Sequence, residues 1–422
     1  MQQLRKILPI LTWAPSYQRR DLRSDLAAGV TVGAMLVPQA MAYALLAGLP
    51  PEIGLYAATI PVIIYAVFGT SRQLAVGPVA IVSLLTAAAL APLLEEGTTG
   101  YVAAAALLAL MVGLVHIVLG VARLGFLVNF LSHSVLVGFT AAAAIIIGFS
   151  QAKNLLGITV ERQDHFYETV GEVASNASET NTATLVVGVV SLVALFALKR
   201  WAPRVPAALT VVVGSILAVQ LFDLEARGVK TVGDIPDSLP AFGLPDVDAG
   251  LAGDLVTTAF VITLVGFMES IAVAKVYARR HRYDVDANRE LIGLGAANVG
   301  AGLFGGYPVT GGFSRTAVND TAGARTPFAS LITAGIVLAT IAFFTPLLAP
   351  LPNAALAAII IVAVIGLIDV KEMRHIATVK RSDLIGLGVA FVGTLALGIE
   401  LGIAVAVGAS LLVVFARMSK PH

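Results

Sequence analysis

The 422-residue chain contains no cysteine. Disulfides, thiolate metal sites and cysteine nucleophiles are therefore excluded. Charge is also scarce. Asp, Glu, Lys and Arg make up 13% of the chain, against about 25% in an ordinary soluble domain. No GxxxxGK[ST] loop is present for nucleotide phosphates and no HExxH for zinc, and the six histidines do not cluster. No basic stripe is interleaved with aromatics, so the net charge of +1 carries no nucleic-acid reading. The first 25 residues lack a signal-peptide core. Their Pro9, Trp13, Pro15 and Tyr17, with five basic residues, read as an interfacial cytoplasmic lead-in, residues 1–25.

What remains is apolar. The chain is 58% hydrophobic, with a mean hydropathy of +0.89. A bilayer-spanning helix needs about 20 apolar residues. Fourteen long apolar segments are read at 26–47, 54–68, 78–94, 101–119, 125–150, 182–199, 205–222, 252–274, 290–304, 313–323, 328–345, 353–368, 384–398 and 402–416. The expected fold is an all-α polytopic membrane protein with fourteen transmembrane segments and no separate soluble domain.

The basic residues fix an expected orientation. With the N-terminus inside, the cytoplasmic stretches hold 22 of the 27 Lys and Arg, including the cluster Lys275, Arg279, Arg280, Arg282 and Arg289. The opposite loops hold only Lys153, Arg162, Arg227 and Lys230. This asymmetry is the positive-inside pattern. It predicts a multi-pass membrane protein with both termini cytoplasmic. One basic residue, Arg315, is left over inside an apolar segment.

The third and tenth segments are interrupted. The third opens on Gln73-Leu74-Ala75-Val76-Gly77-Pro78, the tenth on Tyr307-Pro308-Val309-Thr310-Gly311-Gly312. Proline bars helix at the residue before it, and glycine permits close backbone approach. Each stretch reads as a short strand leading into a half-helix, with Pro78 placed in the first helical turn. Each lies third in a set of seven, and seven is odd, so the second set is inverted relative to the first. Gly77 and Gly311 are 234 positions apart, and Gln39 and Glu269 are 230 apart. Paired broken segments in two inverted halves, here 26–222 and 252–416, point to a transporter's binding site.

A half-helix beginning inside the membrane exposes unpaired N–H groups and a positive dipole end. Two such ends form an anion site from the backbone groups around Val79, Ala80 and Ile81 and around Phe313, Ser314 and Arg315. Ser83 and Ser314 offer hydroxyls. Arg315 costs about 2.5 kcal/mol or more at the bilayer centre, so by default it is functional. Two readings of it stand: an anion ligand, or an ion pair with Glu269. Glu269 reads as the only carboxylate deep in a span, where burial and a nearby arginine act on its proton affinity in opposite directions. It is either the carrier of a coupling proton or a satisfied structural group. Gln39 and Tyr43 are expected near the same depth, either as ligands or as interhelical hydrogen-bonding residues. Gly300–Gly305 fits GxGxxG but lies in an apolar span, and with Gly29 and Gly33 it reads as close helix packing. His133, inside the fifth segment, reads as a packed or hydrogen-bonded histidine rather than a ligand. No nucleophile with its base and no acid pair lies in the membrane, so an enzyme is not expected.

The stretches Val37–Tyr56, Gly69–Ala80, Glu269–Ala272 and Tyr307–Asn319 resemble the sulfate permease family of anion transporters, and the similarity runs over essentially the whole chain. Two departures are Ser134 where proline is usual after His133, and Gly312 where serine is common before Phe313. The resemblance implies a seven-plus-seven inverted repeat. Segments 1–4 and 8–11 would form a core holding the substrate, and segments 5–7 and 12–14 a gate. It also implies a homodimer and a cytoplasmic STAS domain after the last span, expected to begin at 417–422. The reading is a secondary active transporter of a small anion, sulfate or a fumarate-like dicarboxylate. The expected coupling ion is H+, with Na+ as the alternative, and no cofactor is called for. The competitors are a bicarbonate or chloride transporter, an anion channel or voltage-driven membrane protein, and a nucleobase:proton symporter. Arg315 beside a half-helix argues against the last of these.

Overall fold

Hydrocarbon offers no water to backbone N–H and C=O groups, so an apolar chain must satisfy them within itself. In the computed structural model it does so almost entirely as helix. The structure describes residues 8–418 except 127–132, 161–162, 164, 203–204, 237, 247–248 and 380. Arg162, Arg204, Lys380, Lys420, residues 127–132 of the fifth segment and the start of the lead-in fall outside the described residues.

Each expected segment has its helix. These are α1 Arg19–Leu46, α2 Pro51–Phe68, α3 Ala80–Leu90, α4 Thr99–Val121, α5 His133–Ser150, α6 Thr182–Trp201 and α7 Ala207–Phe222, followed by α8 Ala249–Arg280, α9 Ala287–Leu303, α10 Phe313–Thr321, α11 Phe328–Ala339 and α12 Asn353–Ile365. A continuous helical stretch, Arg381–Met418, bends at Gly398 (φ 82°, ψ 178°), which separates α13 (381–397) from α14 (399–418). Among the described residues, eight helices are long and apolar enough to cross a membrane alone. The fold is a polytopic helical membrane protein with a seven-plus-seven inverted repeat.

Several segments differ from the sequence reading: α8 runs on to Arg280 and takes in Lys275, Arg279 and Arg280, α3 ends at Leu90, and three more differ for local reasons. α1 starts at Arg19 rather than near 26, because Gln18 is extended and Asp21 sits in the first turn. α2 is broken after Ala57. Thr59 is non-helical (φ −115°, ψ −84°) and is the N-cap of the second piece, whose first turn holds Pro61, where a missing N–H costs nothing. α11 continues through a π turn, Thr340–Phe344, into Thr345–Leu348. Pro346 removes an N–H that the helix would use, and the ladder widens there.

The chain forms two compact units, 1–125 with 232–349 and 126–231 with 350–422. In the first unit, glycines let helices meet at backbone distance. A Cβ on Gly113 of α4 would lie 2.6 Å from Val299 N of α9, and one on Gly302 2.5 Å from Ala106 O. Gly29 and Gly33 of α1 sit likewise against Ile332 and Ile336, and Gly300 against Ile64. These glycines pack helices, as their setting in apolar spans implied. In the second unit α5 lies along α13, with Gly138 against the Leu387 carbonyl. His133, exposed at the start of α5, bonds Glu372 Oε1 through Nε2 at 3.1 Å, so of its two readings the hydrogen-bonded one describes it and the packed one does not.

The first unit also holds the strands. β1 (Val76–Gly77) and β2 (Thr310–Gly311) pair antiparallel, Val76 with Gly311 and Gly77 with Thr310. The matching interruptions of the two repeats are thus each other's partners.

Candidate functional site

Two residues of strand per repeat are too few to hold themselves together, and side chains complete the ladder. Gly312 N donates to the Ala75 carbonyl at 2.9 Å, and Ala75 N donates to Thr316 Oγ1 at 3.0 Å. Asn298 of α9 stands in for a third strand. Its Nδ2 donates to Val309 O at 2.9 Å, and its Oδ1 accepts from Val309 N at 2.8 Å. From α8, Ser270 Oγ accepts from Gly311 N at 2.8 Å, and Thr310 Oγ1 donates to the Gly266 carbonyl at 2.6 Å. Asn319 Nδ2 reaches the Gln73 carbonyl at 2.9 Å. None of Asn298, Ser270, Thr310, Thr316, Asn319 or Gln73 was singled out from the sequence. The signal they offer is a polar side chain within an apolar run, which does not by itself tell a strand-bracing residue from a ligand.

The strands deliver two helix starts. α3 begins after Val79, which is extended (φ −135°, ψ 151°), and α10 after Gly312 (φ −91°, ψ 130°). Neither start has a side-chain cap. The first-turn N–H groups of Ala80 and Ile81, and of Phe313, Ser314 and Arg315, are left without intrahelical partners. Pro78 is not in the helical turn where the sequence placed it. It precedes the N-cap, and its carbonyl accepts from Arg315 Nη1 at 2.6 Å. Ser83 is not free either, since its hydroxyl is hydrogen-bonded to Tyr307 at 2.9 Å.

Arg315 is 1% exposed, and its Nε and Nη2 are enclosed without an acceptor. Among the described ion pairs none within 4.0 Å joins it to Glu269, so the paired reading of Arg315 does not describe this structure. Glu269 is half-buried, and its Oε2 is likewise enclosed and unpartnered. Gln39 follows Pro38 in α1. It is buried, with an unpartnered Oε1, and Tyr43 lies buried one turn on. α1 and α8, which carry these residues, pack on both half-helices. Phe313 is 53% exposed, and Ser314 is exposed beside it. An enclosed polar atom without a partner costs about 1–3 kcal/mol. Among the described residues of this unit, four of the seven such atoms are on Gln39, Glu269 and Arg315, the others being on Trp13, Tyr17 and His116.

Two other carboxylates of this unit, nearer helix starts, are more deeply buried than Glu269. Glu290 and Asp25 are fully buried. Glu290 accepts from Tyr65 OH and Thr70 N, both at 2.6 Å, and from Ser71 N at 3.1 Å. Asp25 accepts from Arg325 N at 2.7 Å, Thr326 N at 3.1 Å and Thr326 Oγ1 at 2.6 Å. These two hold the turn that enters the third segment and the turn that leaves the tenth. Their satisfied oxygens contrast with those of Glu269.

A sequence profile of the sulfate permease family matches residues 22–390. The chain belongs to the sulfate permease family. It is 40% identical to a protein named probable sulfate transporter Rv1739c of Mycobacterium tuberculosis, over 99% of this chain and 76% of that one. It is 41% identical to the chloroplastic sulfate transporter 4.1 of Arabidopsis thaliana, over 99% of this chain and 62% of that one. Its fold is similar to that of murine Slc26a9, an anion transporter solved in an inward-facing state (TM-score 0.92, 28% identity, 99% of this chain and 72% of that one). It is also similar to the transmembrane domain of the cyanobacterial bicarbonate transporter BicA (TM-score 0.79, 26% identity, 94% and 98%). The seven-plus-seven inverted repeat fits this fold.

Proposed function

We propose that this member of the sulfate permease family is a secondary active transporter of a small divalent oxyanion of the sulfate class, with Arg315 and the first turns of α3 and α10 as its anion site. The observation that carries the reading is the pairing of β1 with β2. It brings together two uncapped helix starts beside a buried guanidinium whose Nε and Nη2 are unused. Helix N-termini favour anions, and N–H bonds from a charged guanidinium to an oxyanion are about twice as strong as neutral ones. The names of the relatives add support for sulfate. Gln39, Tyr43, Phe313 and Ser314 line the same site in this reading. Residues 1–125 with 232–349 act as the substrate-bearing core, and 126–231 with 350–422 as the gate, in an alternating-access cycle. The protein works as a homodimer in a bacterial inner membrane, with both termini cytoplasmic.

Glu269 carries the coupling proton in this proposal. Its unpartnered oxygen, on a helix packed against both half-helices, distinguishes it from the saturated Glu290 and Asp25. The test is uptake of labelled sulfate, fumarate, bicarbonate and chloride into proteoliposomes, with and without an inward proton gradient. Accumulation of a dianion that collapses with the gradient supports the reading. Gradient-indifferent uptake removes the proton from it, and preference for bicarbonate or chloride removes the dianion.

A further inference from the structure

In the second unit a ten-residue helix, Val370–Val379, links α12 to α13. It packs on α5 and on the Arg381–Met418 stretch. Residues three and four apart share a helix face, and the two faces of this helix differ. One is turned inward: Ile376 is buried, and Glu372 bonds His133 at the start of α5. The other is exposed and carries Val370, Lys371, Arg374, His375, Ala377 and Thr378. Val370 and Ala377, seven residues apart, form an apolar edge of that face, and the basic and polar residues form the remainder. The acids nearby are already used. Glu372 faces His133, and Asp369 caps the helix by accepting from Glu372 N at 2.9 Å. Among the described ion pairs none uses Lys371 or Arg374.

A second element ends at the same side of this unit. α6 packs on α12, and both start at one loop. Asn181, the N-cap of α6, donates through Nδ2 to the Arg227 carbonyl at 2.9 Å, and Asn353 N of α12 donates to the Lys230 carbonyl at 3.0 Å. The two helices therefore finish together, α12 towards the linking helix and α6 on Lys199, Arg200 and Trp201. All three are exposed, Trp201 at 80%. An exposed tryptophan beside basic residues at the end of a span marks the membrane–water interface.

We infer that the linking helix Val370–Val379 and the end of α6 form a binding surface for anionic phospholipid, with Val370 and Ala377 against the acyl chains and Lys371, Arg374, Lys199 and Arg200 on the headgroup phosphates. An apolar edge beside a basic one on a single exposed face follows the order of a bilayer, hydrocarbon and then phosphate. Basic clusters on an amphipathic helix at a span's end favour headgroups with net negative charge. A zwitterionic headgroup brings its own cation and gains less. The surface lies outside the anion site and stands whatever the transported substrate is.

The test uses the absence of cysteine, which lets Ala377→Cys carry a single fluorophore on the full chain. The labelled protein is placed in phosphatidylcholine nanodiscs with increasing brominated phosphatidylglycerol or brominated phosphatidylcholine, which quench on contact. Phosphatidylglycerol is expected to quench with an apparent affinity about 25-fold higher, about fivefold for each of the two cations beside the probe, equivalent to about 1 kcal/mol per basic residue. Lys371→Gln and Arg374→Gln should each remove one such factor, and the double variant both. Both side chains are exposed, so the fold is expected to hold, and the single variants carry the test if the double one misfolds. Equal quenching by the two lipids overturns the inference and leaves this face to a protein partner. A preference that survives both substitutions also overturns it. So does a preference that falls equally with Arg227→Gln, at the opposite end of α6, because net charge alone would then be its cause.

Discussion

At the scale of single residues, the buried ionisable groups of the first unit divide by how fully they are bonded. Arg315 and Glu269 keep unused polar atoms, whereas Glu290 and Asp25 use theirs on backbone N–H groups. Substitutions should separate the two classes. Arg315→Ala is expected to cut sulfate uptake by about 100-fold, the loss of two charge-assisted hydrogen bonds at about 1.5 kcal/mol each, with folded yield maintained. Glu269→Gln is expected to abolish proton-driven accumulation while sparing sulfate/sulfate exchange, measured by counterflow. Glu290→Ala strands the Thr70 and Ser71 N–H groups and is expected to cost about 3 kcal/mol of stability, read by denaturation in detergent, with Glu290→Gln costing less. Arg315 and Glu269 were legible in the sequence because a charge inside an apolar run stands out. Glu290 and Asp25 were not. They lie near helix starts, where charge is ordinary, and their backbone partners are 219–220 and 300–301 residues away.

At the scale of elements, the two broken segments were readable from Gly-Pro and Pro-Val-Thr-Gly-Gly, because these residues restrict or free the backbone locally. The register was not, since Val76 opposite Gly311 depends on side chains from α8, α9 and α10. The same division holds for helix packing. Small residues in apolar spans announce close approach, yet which of the 40 glycines faces a backbone depends on tertiary placement. Gly113 is such a position, 2.6 Å from Val299 N by its missing Cβ. Gly113→Val should force α4 and α9 apart at a cost of about 1–3 kcal/mol, seen as lower Tm and lower folded yield. Gly214, whose missing Cβ meets nothing within 4 Å, is the matched control and should tolerate valine far better.

At the scale of the whole molecule, segment number and class followed from length, hydropathy and basic-residue placement, quantities that sum over the chain and survive local error. The missing cysteines supply a direct check on orientation, since any introduced thiol is unique. Arg374→Cys and Arg227→Cys both replace exposed residues. An impermeant maleimide applied to right-side-out vesicles is expected to label Arg227→Cys and not Arg374→Cys, and the reverse pattern would invert the topology. Anion identity was the least legible property, because one guanidinium and backbone donors are shared by every oxyanion site. The most direct test of the central claim is an experimental structure of the protein with selenate, a heavy isostere of sulfate located by its anomalous signal. The account predicts a selenium peak within hydrogen-bonding reach of the first-turn N–H groups of both α3 and α10 and of Arg315. A peak away from those two helix starts, with none between them, would contradict it.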